Sequence, residues 1–258
     1  MLRFQHLNTG YGKTCIGHQL QGHLDQGTLT ALLGTNGSGK STLLRTMAGL
    51  QSPVALPGEA DPTLTVCGRS MKDYSPRELA RQLSVVLTFR PEVDNLTADD
   101  VVRMGRIPYA NAFGRETEED LRCIHQAYEM TGTAPFRHRK LSTLSDGERQ
   151  RIFIAKALAQ DTPLILLDEP TAFLDFPSKI GMMRLLERLA HEQHKTILLS
   201  THDIEPALQM ADALWLLNPE GIVCGTPDTL GERGDIEKFF CTDGMEYDRT
   251  HKRFFYHI

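Results

Sequence analysis

Long apolar segments are absent from this chain of 258 residues. A helix needs about 18 or more consecutive apolar residues to cross a bilayer, and no stretch of the sequence approaches that length. The first residues, Met1 to His6, also lack the apolar segment that marks a secretory signal peptide. We therefore expect a chain that does not itself span a membrane.

Paired cysteines and an excess of basic charge are also lacking. The five cysteines are scattered and include no C-x-x-C pair, which favours reduced thiols in the cytosol over a disulfide framework. The ten histidines show no spacing typical of metal ligands. Lysine and arginine number 28 against 33 acidic residues, a net charge of −5, so we expect no nucleic-acid partner. A hydrophobic content of 40% can build one α/β domain with a smaller lobe.

What the sequence does contain is a phosphate-binding pattern. The stretch from Gly34 to Ser41 fits G-x-x-x-x-G-K-[ST] and lies between an apolar strand-like segment and a helix-like one. Glycines let successive backbone N–H groups turn towards one anion, and the positive end of the helix points at it. Lys40 would add a charge for the β- and γ-phosphates, and Ser41 a hydroxyl for Mg²⁺. The predicted ATP-binding loop comprises Gly34, Thr35, Asn36, Gly37, Ser38, Gly39, Lys40, Ser41 and Thr42.

Two carboxylates follow a second apolar segment. The run from Pro163 to Leu167 indicates a buried strand, and Asp168 and Glu169 come directly after it. An acid at the carboxyl end of a strand beside a phosphate loop can hold Mg²⁺ directly or through water, which suits Asp168. Glu169 would then face the γ-phosphate and orient or deprotonate the attacking water. Acidic residues also end strands in ordinary turns, but the phosphate loop favours the catalytic interpretation.

A third motif opens a helix further along the chain. Ser145-Asp-Gly-Glu148 is, by itself, a capping box that begins the helix over Arg149 to Ala159. Preceded by Leu144 and placed between the phosphate loop and the two carboxylates, it resembles the signature of the ATP-binding cassette (ABC) ATPases. In that family this helix start caps the γ-phosphate of ATP bound to the opposite protomer, which implies this role for Ser145 and Gly147.

Other stretches resemble the same family in the same order along the chain. Leu174-Asp175 resembles the D-loop, and Ser200 to Asp203 resembles the loop that carries the switch histidine, here His202. Tyr11 lies where the family places an aromatic ring that stacks on adenine. The resemblance spans residues 1 to about 220. It implies a catalytic set of Glu169, His202 and Lys40, with ATP and Mg²⁺ bound and with two copies closing head to tail.

The order of apolar segments predicts the fold class. Antiparallel strands in the first 30 residues precede an alternation of strands and helices, which indicates a mostly parallel sheet covered by helices. We expect an α/β P-loop NTPase (RecA-like) core with an antiparallel β subdomain. An inserted helical subdomain, at about residues 90–160, completes the ABC ATPase domain of residues 1–230. Residues 231–258 would form an appended hairpin.

Several classes of cassette protein compete at this point. DNA-repair relatives insert long coiled coils, ribosome-acting relatives carry a second phosphate loop, and exporters fuse the cassette to membrane helices; the sequence shows none of these. An importer subunit working as a homodimer beneath a permease remains. Such a chain would lie peripherally at the cytoplasmic face of the membrane, served by an extracytoplasmic substrate-binding protein.

The stretch Leu96 to Tyr109 indicates which kind of importer the chain would serve. It resembles the L-T-x-x-x-x-V-x-x-G-R-x-P-[YH] pattern of ATPases that serve iron–siderophore, haem and cobalamin importers. Without this resemblance, the same stretch would be interpreted as a loop followed by a helix that stops at Gly-Arg-x-Pro. The rival function is a soluble ABC ATPase of cofactor assembly, such as iron–sulfur cluster biogenesis, and a third is a non-hydrolysing adaptor, which Glu169 and His202 disfavour.

Two positions depart from the family pattern. Thr88 stands where a glutamine normally touches Mg²⁺ and the attacking water, so we expect a shorter contact to the metal, bridged by water. The loop after it, Phe89–Asn95, would face the permease, with Arg90 as a further candidate for coupling. Asp146 replaces a signature glycine, and its carboxylate would repel the γ-phosphate unless it turns away.

Overall fold

The computed structural model describes residues 1–88, 95–110, 115–242 and 244–256. The predicted permease-facing loop, including Arg90, lies outside the described residues apart from Asn95. The strands are β1 (Leu2–Tyr11), β2 (Thr14–Leu24), β3 (Leu29–Leu33), β4 (Thr63–Val66), β5 (Arg69–Ser70), β6 (Leu83–Val86), β7 (Leu164–Asp168), β8 (Thr196–Ser200), β9 (Ala213–Asn218), β10 (Gly221–Gly225), β11 (Met245–Asp248) and β12 (Arg253–Tyr256). The helices are α1 (Lys40–Met47), α2 (Pro76–Leu79), α3 (Ala98–Met104), α4 (Glu118–Thr131), α5 (Asp146–Ala159), α6 (Phe176–His191), α7 (Ile204–Met210), α8 (Pro227–Glu232) and α9 (Asp235–Phe240).

The central sheet has six strands in the order β10-β9-β3-β8-β7-β6. The five strands from β9 to β6 pair in parallel, and β10 joins β9 antiparallel. Every residue of β3, β7 and β8 is buried, as expected for strands whose two faces are both covered. The predicted mostly parallel sheet is therefore confirmed. Its parallel strands bring the ends of β3, β7 and β8 to one edge, where the three corresponding motifs begin.

The antiparallel subdomain is a four-stranded sheet in the order β2-β1-β4-β5. Its inner face packs against the central sheet through an apolar cluster in which the Phe4 and Trp215 rings lie edge to face, 5.6 Å apart. Helix α1 contributes Leu43, Leu44 and Met47 to the same cluster. The helix that follows the phosphate loop is thus fixed from both sheets.

Helices α3, α4 and α5 form the part predicted as the helical subdomain, and each begins with a capping box. A buried ion pair joins the segment just after α3 to α4: Arg106 Nε lies 2.8 Å from Asp120 Oδ1, with the two side chains 7% and 6% exposed. Arg106 Nη1 also donates to the carbonyl oxygen of Ala159, at 2.8 Å. The Gly-Arg-x-Pro end of the Leu96–Tyr109 stretch therefore packs α3 against α4 and α5. The domain division itself stays a prediction.

We expect Arg106→Met to lower the free energy of unfolding by about 3–5 kcal/mol, because it leaves the Asp120 carboxylate buried without its cation. Urea unfolding followed by circular dichroism measures the change. Arg122→Met is the matched control: Arg122 pairs with Glu119 on the same lobe, but both side chains are more than half exposed, at 53% and 55%. Exposed pairs contribute about 0–1 kcal/mol. Equal losses in the two variants would contradict a stabilising role for the buried pair.

Within residues 231–258, the predicted C-terminal appendage, the chain forms helix α9 and then the antiparallel pair β11 and β12. The pair packs on the main core through Tyr247 and Phe254, whose ring centroids are 5.1 Å apart. The Phe254 N–H donates to Glu205 Oε1 in α7, at 3.1 Å. None of the helices in the described residues is long and apolar enough to cross a membrane.

Candidate ATP-binding and hydrolysis site

The phosphate loop joins β3 to α1 in a conformation that needs glycine. Gly37 and Gly39 have φ of 78° and 96°, which side chains rarely adopt. A Cβ at Gly39 would also lie 2.8 Å from Cγ2 of Ile16. The first N–H groups of α1 lack acceptors within the helix, so they are available to an anion. The predicted loop therefore has the backbone shape that a phosphate group requires.

Lys40 is the first residue of α1 and is almost fully buried. Its Nζ donates to the carbonyl oxygens of Gly34 and Thr35, at 2.8 and 3.2 Å. Burial lowers the pKa of Lys40, while the charges of Glu169 and Asp168 act in the opposite direction. A cation held between the loop and two acids fits the charge of a triphosphate, because phosphate oxygens can replace the two carbonyl acceptors.

The Asp168 carboxylate lies at the buried end of β7 and is 2% exposed. Its Oδ1 accepts hydrogen bonds from the hydroxyls of Ser41 and Ser200, at 2.9 and 2.8 Å. The pairing of Asp168 with Ser200 across β7 and β8 sets the second contact. The side-chain oxygens of Ser41, Asp168 and Ser200 therefore lie together beside the phosphate loop, and hard oxygen ligands of this kind suit Mg²⁺. Ser41 and Asp168 were expected here; Ser200 was not, because its place depends on strand register.

Glu169 follows at the edge of the sheet with a positive φ of 52°. Its N–H lies 3.0 Å from Ser200 Oγ, which fixes the backbone that presents the side chain. Burial raises the pKa of Glu169 to about 7, with Asp168 and Asp203 adding to the rise and Lys40 opposing it. A carboxyl group that titrates near neutrality is well matched to accepting a proton.

His202 approaches Glu169 from the loop after β8. Its Nε2 lies 2.9 Å from Glu169 Oε1, close enough for an ion pair. The two groups are not oriented for a hydrogen bond, and Oε1 has no hydrogen-bond partner among the described residues. Burial, with the charge of Lys40 as a further cause, lowers the pKa of His202. The structure thus brings Lys40, Glu169 and His202 together, as the sequence predicts.

Thr88 lies beside the same carboxylates, but its hydroxyl has a structural partner. Thr88 Oγ1 donates to the main-chain oxygen of Asp168, at 2.9 Å. The hydroxyl proton is therefore used in the hydrogen bond to β7, while the hydroxyl oxygen can still accept a hydrogen bond or bind a metal through its lone pairs. Thr88 is predicted to lie near the metal, and its hydrogen bond also links the end of β6 to the end of β7.

Tyr11 ends β1, and its ring is half exposed at 52%. Thr42 Oγ1 lies 3.3 Å from the Tyr11 hydroxyl, so the ring lies over the start of α1, on the predicted adenine side of the loop. The Gln51 side-chain amide donates to the carbonyl oxygen of Gly10, which anchors the chain just before Tyr11. Nothing in the local sequence marks Gln51 for this contact.

Ser145 is the N-cap of α5 and is exposed. Its Oγ accepts from the Glu148 N–H at 3.3 Å, and the Ser145 N–H donates to Glu148 Oε2 at 2.8 Å. The capping box leaves the proton of the Ser145 hydroxyl able to donate outward. Gly147 lies in the first turn beside it, where helix N–H groups face an incoming anion. This surface is suited to the γ-phosphate of a second copy.

A further ionic contact joins the loops after β7 and β8. Asp203 accepts from the Thr171 hydroxyl at 2.7 Å and from Lys179 Nζ at 2.6 Å. Asp175, in the stretch that resembles the D-loop, caps α6 by accepting from the Ser178 N–H at 3.0 Å. The loop that carries His202 is therefore fixed to the start of α6.

Comparison with known proteins identifies the family. The profile of the ABC transporter family matches residues 18–172, which is more than half of the chain. This chain belongs to the ABC transporter family. Its members' ATP-binding subunits are ATPases, and this chain is one: it binds and hydrolyses ATP.

Curated relatives share about a third of the sequence over nearly the whole chain. The iron(3+)-hydroxamate import ATP-binding protein FhuC of Bacillus subtilis is 34% identical over 249 residues, 94% of this chain and 90% of the relative. The ferric enterobactin transport ATP-binding protein FepC of Escherichia coli is 34% identical over 240 residues, 93% and 86% of the two chains.

Solved structures show the same fold. An inward-facing structure of a transporter described as of the metal-chelate type matches with a TM-score of 0.77 at 27% identity, covering 99% of this chain and 95% of that one. A dimeric ABC transporter cassette matches with a TM-score of 0.74 at 25% identity, covering 88% and 99%. The predicted P-loop NTPase fold with its antiparallel subdomain is therefore confirmed.

The contact of Thr88 with β7 leads to a prediction. Thr88→Val keeps the shape and removes the hydroxyl, so the carbonyl oxygen of Asp168 loses its partner; Thr88→Ser keeps the hydroxyl. A typical intramolecular hydrogen bond contributes about 0.5–1.5 kcal/mol, and we expect the valine variant to hydrolyse ATP more slowly than the serine variant. Steady-state ATPase assays on both measure this. Equal rates in both variants and the parent would make Thr88 a packing residue only.

Proposed function

We propose that the chain is the ATP-hydrolysing subunit of an importer for iron chelates of the siderophore, haem or cobalamin type. The observation that carries the proposal is the likeness, over nearly the whole chain, to import ATP-binding proteins named for iron(3+)-hydroxamate and ferric enterobactin. The residues that hydrolysis needs meet at one sheet edge in this structure, which argues against a non-hydrolysing adaptor.

In this proposal ATP stacks on Tyr11 and its phosphates lie in the loop from Gly34 to Thr42. Lys40 binds the β- and γ-phosphates. Ser41 and Asp168, and Thr88 through a water, would hold Mg²⁺, which would supply positive charge against the phosphate oxygens. Glu169 takes a proton from the attacking water, and the imidazole of His202 stabilises the charge that develops.

The active unit is a homodimer closed head to tail, in which each copy presents Ser145 and Gly147 to the γ-phosphate of the other. The dimer lies at the cytoplasmic face of the membrane beneath permease subunits, which receive the chelate from an extracytoplasmic binding protein. Closure on ATP and reopening after hydrolysis then drive the permease. The rival, a soluble ABC ATPase of iron–sulfur cluster assembly, receives no support from the names of the relatives.

Reconstitution tests the proposal. The tagged chain is recovered from solubilised membranes of its own host, the co-purifying integral membrane subunits are identified, and the complex is placed in vesicles. We expect ATP hydrolysis to rise when a ferric hydroxamate loaded on its binding protein is supplied, and to vanish in the complex carrying Lys40→Ala. Recovery of the chain only with cytosolic scaffold proteins of cluster assembly would overturn the importer role.

A further inference from the structure

A small pocket lies beside Glu169 within one copy of the chain. Its volume is about 20 Å³, and it is lined on one side by Thr88 and Glu169 and on the other by Asp146, Arg149 and Gln150 of α5. The signature helix therefore reaches the catalytic carboxylate of its own protomer. Asp146 lines this pocket from the start of α5 and is itself exposed.

Three lining side chains carry a buried polar atom without a hydrogen-bond partner in the described part of the chain: Glu169 Oε1, Arg149 Nε and Gln150 Nε2. A buried polar atom without a partner costs roughly 1–3 kcal/mol. Glu169 Oε1 has His202 Nε2 at 2.9 Å as an ionic neighbour only, so one water in this pocket would give Arg149 Nε and Gln150 Nε2 an acceptor and Glu169 Oε1 a hydrogen bond. Thr88 Oγ1 adds a fourth group, because it donates to Asp168 and keeps its lone pairs.

These four groups are complementary to one water molecule. Arg149 Nε and Gln150 Nε2 can each donate a hydrogen bond, while Glu169 Oε1 and the Thr88 oxygen can each accept one. A water accepts two and donates two, and a cavity of about 20 Å³ exceeds the ~10–15 Å³ that a single water needs. The donors come from α5 and the acceptors from the ends of β6 and β7.

We propose that Gln150 is a positioning residue for hydrolysis. Together with Thr88 it holds one water against the Glu169 carboxylate. Its side-chain amide, on the signature helix, takes the place of the glutamine amide that is missing at position 88. The inference rests on the proposed role of Glu169 as the base. It goes further by linking the helical lobe to that base within one protomer. A displacement of α5 would carry the amide away from Glu169 and slow hydrolysis.

The test compares three variants with the parent in steady-state ATPase assays. Gln150→Leu removes the amide and keeps the volume, and we expect kcat to fall about 10-fold, less than the roughly 10²–10⁴-fold that a positioned acid–base group contributes, because Glu169 itself is retained. The KM for ATP should stay within about twofold, since no phosphate contact changes. Gln126→Leu, the same exchange at an exposed position of α4, should match the parent.

Rescue separates positioning from packing. In the double variant Thr88→Gln with Gln150→Leu, the longer side chain at position 88 restores an amide beside Glu169, and kcat should recover most of the loss. A crystal structure of the nucleotide-free parent should also show a water within hydrogen-bond distance of Gln150 Nε2 and Glu169 Oε1. In Gln150→Leu that water should be missing or displaced.

The outcomes distinguish this inference from the proposed function. An unchanged kcat in Gln150→Leu, while Glu169→Gln is inactive, would overturn the role of Gln150 and leave the importer ATPase intact. A loss of kcat that comes with a lower melting temperature and no rescue by Thr88→Gln would likewise overturn it, since Gln150 would then only pack the helix. Wild-type-like hydrolysis by Glu169→Gln would instead remove the base on which both depend.

Discussion

Replacing Glu169 by glutamine should lower ATP turnover by roughly 10²-fold or more, the scale of losing a positioned general base. The exchange keeps the size of the side chain but removes the carboxylate that can accept a proton. ATP binding should persist, because Lys40, Ser41 and Asp168 are unchanged. Single-turnover hydrolysis of radiolabelled ATP and equilibrium binding of a fluorescent ATP analogue measure the two effects separately.

The same variant should accumulate as an ATP-bound dimer, because closure on ATP is no longer followed by hydrolysis. Size-exclusion chromatography with ATP and Mg²⁺ detects this species. Glu192→Gln, at the exposed end of α6, is the control and should behave as the parent in both assays. If Glu169→Gln turns over at the parent's rate, Glu169 is not the base.

The pH dependence of the parent follows from the same carboxyl group. Burial raises the pKa of Glu169 to about 7, so the protonated form is populated at neutral pH and becomes dominant below it. A base must be deprotonated to act, and kcat/KM reports the free enzyme. We therefore expect kcat/KM for ATP to fall as the pH is lowered through about 7. A flat profile between pH 6 and 8 would contradict this assignment.

Much of the fold and of the site could be predicted because their signals are local. A glycine-rich run between an apolar strand and a helix marks the phosphate loop, and acidic residues directly after an apolar run mark the end of β7. Parallel pairing then makes these ends meet, so the sequence alone predicts that Lys40, Asp168 and Glu169 lie together.

Contacts set by register or by distant packing could not be predicted in this way. Ser200 reaches Asp168 only because β8 pairs with β7 in one register. Gln51 holds Gly10, and Lys179 holds Asp203, across separations for which the sequence carries no periodic signal. Gln150 looks like any polar residue of an amphipathic helix until the cavity beside Glu169 is seen.

Mixing two inactive variants should restore hydrolysis, and this is the second large effect we expect. Lys40→Ala removes the phosphate-binding cation, and Ser145→Arg blocks the helix start that faces the other copy; each homodimer should lose nearly all activity. In a mixed dimer, the intact loop of the Ser145→Arg copy meets the intact signature of the Lys40→Ala copy. One complete site per mixed dimer results, while the other site carries both defects.

With random pairing at equal concentrations, half of the dimers are mixed and each has one of two sites, so the rate should reach about a quarter of the parent's if the sites act independently. Titrating one variant into the other while following phosphate release measures the recovery.

Ser145 caps α5, and losing a cap costs about 1 kcal/mol, so thermal melting must show that Ser145→Arg is folded. The parent's rate per chain should also rise with protein concentration. Absence of recovery between two folded variants, together with a rate independent of concentration, would mean that one chain contains a complete site, which the exposed position of Ser145 at the start of α5 argues against.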